Sequence, residues 1–148
     1  RRVMQTSTIS VLEGQVAATE DVEKASMEDT DRLDIPNGVE VYEIDGPFFF
    51  GLASRFEEFE NRKSGETKVR IIRMRKVPFI DSTGVNNLRS LCERTRKRGV
   101  TVILSGVTPK VLATLEKFGV DKEIGAENIF PHIIPALAKA SQLVSGQN

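Results

Sequence analysis

The 148-residue chain has no tryptophan, one tyrosine, one cysteine and one histidine. A lone Cys92 cannot close an internal disulfide, and it fits a reducing compartment. A lone His132 leaves His-rich metal sites and most nucleophile–histidine pairs short of parts, so no metal and no cofactor is expected. Net charge is also missing, with 21 basic side chains against 21 acidic ones. A surface without excess positive charge is not that of a strongly basic nucleic-acid binder. The longest apolar runs, such as residues 47–50 and 102–104, fall far short of the ~20 residues that a membrane-spanning helix needs. No glycine-rich phosphate loop of the dinucleotide or Walker type is present. No signal peptide follows Arg1 and Arg2. The chain begins with Arg1 rather than Met, and we expect it to be a piece of a larger parent.

What is there is a soluble globular mixture, 39 % apolar and 28 % charged, of a length that suits one domain. The zero net charge hides an asymmetry. Residues 1–38 hold eight acidic and four basic side chains and no aromatic residue, whereas the remainder holds thirteen acidic and seventeen basic ones. Ile9, Leu12 and Val16 stand at helical spacing and allow a short amphipathic helix, which Gly14 weakens. Asp34-Ile35-Pro36-Asn37-Gly38 reads as a turn. Residues 1–34 are therefore expected to be an acidic connector, and residues 35–148 one compact domain.

The compact part alternates strand and helix patterns. Val39, Val41 and Ile44 mark a half-exposed strand, and residues 47–50 a buried apolar stretch. Leu52, Ala53, Phe56 and Phe59 form one face of a helix whose other face is charged. Val69, Ile71, Ile72 and Met74 make a central strand, interrupted by Arg70, Arg73 and Arg75. Val85, Leu88, Leu91 and Cys92 line one face of the next helix, with Gly99 at its C-terminal end. Residues 100–104 form a continuous buried strand of the kind found in parallel sheets. Thr108 followed by Pro109 is a cap and a first helical residue. Leu112, Leu115 and Phe118 are expected on that helix's core face, and Gly119 ends it. Ile129 and Phe130 suggest a last short strand. A final helix carries Ile134, Leu137 and Ala138, with a kink or restart expected at Pro135. Such alternation predicts an α/β fold with a mixed sheet.

The most informative motif is Ile80-Asp81-Ser82-Thr83-Gly84, at the junction from strand to helix. A helix N-terminus has free backbone N–H groups and a partial positive charge, and so attracts anions. Asp81 or Ser82 can cap it, Gly84 admits close approach of a partner backbone, and the Ser82 hydroxyl could accept a phosphoryl group. The same residues also read as an ordinary helix cap. A catalytic use of Asp81 and Ser82 lacks a neighbouring histidine or lysine to activate the serine, so no enzyme is expected.

Val77-Pro78-Phe79-Ile80-Asp81-Ser82-Thr83-Gly84-Val85, a helix, and then Gly99-Val100-Thr101-Val102-Ile103-Leu104-Ser105-Gly106 resemble the domain shared by sulfate transporters and anti-sigma-factor antagonists, the STAS domain. The resemblance extends over about residues 35–143. It implies a single domain with a mixed central β-sheet and helices packed mainly on one side. Gly46-Pro47-Phe48-Phe49-Phe50-Gly51 is similar to the corresponding stretch of the C-terminal cytoplasmic domains of SulP anion transporters. The acidic leader suits a link from a last membrane helix, and Arg1-Arg2 suits a cytoplasmic membrane exit.

On this resemblance the domain sits at the cytoplasmic face of a membrane and regulates a secondary transporter of sulfate or a related anion. The alternative is a free-standing anti-sigma-factor antagonist switched by phosphorylation at Ser82. The implied contact surface is Asp81, Ser82, Thr83 and Gly84 with Asn86, Asn87, Arg89 and Ser90. The partners it implies are the parent's own transmembrane domain and a cytosolic protein, with a nucleotide and a second copy of the domain as further options and nucleic acid as none.

Other features have bland readings beside sharp ones. Arg94, Arg96, Lys97 and Arg98 could hold a phosphate or a lipid headgroup, or be a solvated helix end that favours cations. Arg70, Arg73, Arg75 and Lys76 could frame a nucleotide. Three adjacent phenylalanines cannot all face one side of a strand. Cys92 reads as core, and His132 as structural or surface.

Overall fold

The computed structural model describes residues 8–25, 31–46 and 66–146. The phenylalanine stretch and the helix expected over residues 52–59 lie outside the described residues. Six strands are described: β1 (Thr8–Leu12), β2 (Gln15–Ala17), β3 (Arg32–Asp34), β4 (Val39–Asp45), β5 (Val69–Lys76) and β6 (Thr101–Ser105). The helices are α1 (Val22–Ala25), α2 (Ser82–Lys97), α3 (Pro109–Lys117), α4 (Val120–Ile124) and α5 (Ile133–Val144).

Four strands form the main sheet in the order β1-β4-β5-β6. β4, β5 and β6 run parallel, and β1 is antiparallel to β4. The sheet is therefore mixed. A parallel bridge between Leu104 and Ile129 continues it beyond β6, where a last short strand is expected. β2 and β3 pair separately.

Both faces of the sheet are covered. On one face Tyr42, Ile44, Ile72, Met74, Val102 and Leu104 meet Val85, Leu88 and Cys92 of α2, Val111 and Leu115 of α3, and Val120 and Ile124 of α4. On the other face Val39, Val41, Val69, Ile71 and Ile103 meet Ile133, Ala136, Leu137 and Ala140 of α5, with Val16 from β2. Three helices thus share one face, and α5 and the β2–β3 pair take the other. Burying a side chain such as Leu88 or Ile71 contributes roughly 1.5–3 kcal/mol relative to leaving it in water.

Several local expectations change. Ile9, Leu12 and Val16 lie not on a helix but on β1 and β2. Thr8, Ile9 and Val11 are β-branched, and the otherwise open edge of β4 offers them a hydrogen-bonding partner, with Ile9 opposite Ile44. That pairing buries β4 on both faces and both edges, so it is not half-exposed: all but its last residue are buried. In α3 the core face is Val111 and Leu115, whereas Phe118 stands at the C-cap and is exposed. Pro135 causes no restart. α5 begins at Ile133, so Pro135 falls in the first turn, where its missing N–H has no helical acceptor to lose.

Candidate functional site

The strand-to-helix junction after β5 is built by capping. Asp81 has extended backbone, and its Oδ1 accepts a hydrogen bond from the Gly84 N–H at 2.8 Å. Gly84 is buried, and a Cβ there would come within 2.8 Å of Ile80 Cγ1. Close packing of the loop on itself therefore already requires a glycine at position 84. With Asp81 serving the cap, Ser82 and Thr83 are left exposed in the first turn of α2. Asn86 and Ser90 are exposed as well, four and eight residues on from Ser82, so the three form one stripe. Phe79, just before the cap, is 40 % exposed, with the Lys110 ammonium over its ring.

The other residues expected on this surface divide. Asn87 is half-buried. Arg89 has a structural task. Its Nε donates to both oxygens of Glu123 at 2.9 and 3.0 Å, and its Nη2 donates to the Phe118 carbonyl at 2.6 Å. It therefore ties α2 to α4 and to the end of α3. At the other end of α2, Arg96, Lys97 and Arg98 are exposed where the helix dipole favours cations. Cys92 is core, and burial pushes its thiol up to about 12. His132 is exposed at the N-cap of α5 and makes no side-chain cap.

The arginines of β5 do not surround one space. Strand side chains alternate, so Arg70 faces α2 while Arg73 and Arg75 face the α5 side. Arg70 is buried. Its Nε and Nη2 both donate to Glu40 Oε1 at 3.0 and 2.8 Å, and its Nη1 donates to Thr95 Oγ1 at 3.0 Å. The guanidinium also lies 4.8 Å from the centre of the Tyr42 ring. Arg75 pairs with Glu43 at 2.7 Å, and Lys76 approaches the same carboxylate at 3.6 Å.

Arg73 is completely buried but less completely matched. Its Nη2 donates to the Thr19 carbonyl at 2.8 Å and, more weakly, to Glu20 Oε2 at 3.4 Å. Its Nε and Nη1 have no partner among the described residues. Burial first, and the Arg75 charge second, lower its pKa from the ordinary arginine value. Ser105 stands opposite Arg73 in the register, buried, and its Oγ likewise lacks a partner among the described residues. Glu20 Oε2 also accepts from the Ile133 N–H at 2.8 Å, at the start of α5. Neither Glu20 nor Ser105 stood out in the sequence. The available signal was an arginine inside an apolar strand, at a position whose alternate neighbours, Val69 and Ile71, face inward.

The strand order, the two-sided core and the capped junction define the class, and comparison with known families agrees. The STAS domain matches residues 32–139, and the chain belongs to that family. The similarity runs to the transporter side of it. A sulfate transporter family protein from Wolinella succinogenes has 44 % sequence identity and a TM-score of 0.70, covering 76 % of this chain and 93 % of that one. A SulP transporter STAS domain from Vibrio cholerae has 34 % identity and a TM-score of 0.70, covering 76 % and 88 %. Probable sulfate transporter 4.2 of Arabidopsis thaliana is 30 % identical over 114 residues, 68 % of this chain and 17 % of that protein. The chain thus spans about a fifth or less of the length of the curated transporters it matches. Among the described residues no helix is long and apolar enough to cross a membrane.

Proposed function

We propose that this chain is the cytoplasmic regulatory and interaction domain of a SulP-type secondary anion transporter. Residues 1–34 link it to the membrane part while also contributing β1 and β2 to the domain. It works by docking rather than by catalysis, and the docking surface is the 81–84 loop with the stripe of Ser82, Asn86 and Ser90. The observation that carries this reading is the Asp81 cap. It holds the loop in one shape from within, and leaves small polar side chains exposed on the outside at the start of the helix. Such a surface suits hydrogen bonding to the parent's own membrane domain or to a cytosolic protein. The similarity to transporter proteins favours this over a free anti-sigma-factor antagonist.

The test uses the full parent transporter. Asn86→Arg and Ser90→Arg should lower radiolabelled sulfate uptake severalfold without changing the amount of protein in the membrane. Ser82→Asp should fold normally, because a negative charge in the first turn of a helix is stabilising. It should alter uptake only if a charge there changes docking. Wild-type uptake by both arginine variants would sink the assigned surface.

A further inference from the structure

The α5 side of the sheet contains a second polar site that the docking surface does not use. Arg73 and Ser105 sit near the carboxyl ends of adjacent parallel strands, β5 and β6, the edge at which open α/β sheets bind ligands. The N-terminus of α5, a twelve-residue helix, points an N–H group to the same place. A carboxylate already occupies it, and that carboxylate comes from the chain's own strap at Thr19 and Glu20.

The fit of that carboxylate is incomplete. Glu20 holds the Ile133 N–H well but reaches Arg73 only at 3.4 Å. Its other oxygen is buried without a partner among the described residues, as are two Arg73 nitrogens and the Ser105 hydroxyl. Leaving a buried donor or acceptor without a partner is unfavourable, and more so when it is charged. A two-oxygen group tethered to the backbone cannot present acceptors to all of these donors at once. A free oxyanion with three or four oxygens can, with bidentate contact to the guanidinium. Glu20 is also the removable part, since its side chain is 23 % exposed while that of Arg73 is fully buried.

We propose that Arg73, Ser105 and the Ile133 N–H form a binding site for a tetrahedral oxyanion, and that Glu20 is an internal ligand which the oxyanion displaces. The strap at Thr19 and Glu20 is then a gate whose position reports occupancy. The site is independent of the surface around Ser82 and lies on the opposite face of the sheet, so either can fail without the other.

The experiment uses the 148-residue chain, with sulfate and inorganic phosphate as separate probes at constant ionic strength set by chloride. Binding is read by titration calorimetry and by the backbone amide resonance of Ile133. Both probes should bind saturably and shift that resonance. Glu20→Gln should tighten binding about tenfold, because a charged competitor for the site is gone. Ser105→Ala should weaken it severalfold while leaving the fold intact, and Arg73→Met should abolish it. Because Arg73→Met risks misfolding, the Ser105 and Glu20 variants decide the question. The proposal is overturned if the Ile133 resonance responds to sulfate no more than to chloride in both wild type and Glu20→Gln. It is equally overturned if an anion binds but Glu20→Gln binds it no tighter than wild type.

Discussion

Arg70 and Arg73 lie three residues apart on the central strand. An odd step along a strand reverses direction, so one faces the α2 layer and the other the α5 layer. Both are buried, yet their surroundings differ. Arg70 donates from three nitrogens to Glu40 and Thr95 and stacks on Tyr42. Arg73 uses one nitrogen, on a carbonyl and a distant carboxylate of a strap. The same residue type in one strand serves as a closed structural pair on one face and as an open receptor on the other. The lesson is that a buried charge indicates function when its hydrogen bonds are incomplete, not simply when it is buried.

The largest effect that sharpens this contrast is at Glu40. Glu40→Gln leaves a buried guanidinium without its counter-charge and should cost about 3–5 kcal/mol in urea unfolding. A loss below that of an ordinary surface substitution would show that Arg70 is not a closed pair. Next comes Gly84, on the well-packed face. Its missing Cβ is replaced by Ile80, so Gly84→Ala should cost about 1–3 kcal/mol through overpacking, measured in the same way. The smallest effect is at Glu20. Glu20→Gln keeps an acceptor for Ile133 and should change stability by about 1 kcal/mol or less. If Glu20→Gln proves as costly as Glu40→Gln, the two arginines are equivalent and the open site disappears.

Cys92 adds a check on the α2 face. Its folded pKa is raised above the ordinary thiol value, so the native state favours the protonated form. The stability that follows is complete below pH 9 and is lost as pH rises from about 9 toward 12. The thiol should therefore react with a disulfide reagent at pH 8 only through unfolding, at a rate that rises with added urea. Rapid labelling of the native chain would contradict the burial.

Much of the α2 face was legible in advance. The Asp81 cap, the Val85–Leu88–Leu91–Cys92 stripe and the Thr108-Pro109 start are local patterns, with every partner within a few residues. α4 was not legible, because five residues after Gly119 are too few for a periodicity. β1 was misread because Ile9, Leu12 and Val16 satisfy a helical spacing as well as a strand. What selects the strand is the edge of β4, 29 to 37 residues away. The division of Arg73 from Arg70 was hidden for the same reason, since Glu40 and Glu20 lie 30 and 53 residues from their arginines.

The sequence by itself determined the alternation of strands and helices, the capped junction at Asp81, the core role of Cys92 and the family to which the chain belongs. These rest on short-range spacing, capping chemistry and motif order, which act before any tertiary contact forms. Only the tertiary structure decided which face each β5 arginine meets, that the leader supplies β1 to the sheet, and that Glu20 reaches the start of α5. Each of these depends on closing a long loop and on burying a charge against a particular distant partner, and nothing in the neighbouring residues specifies that partner.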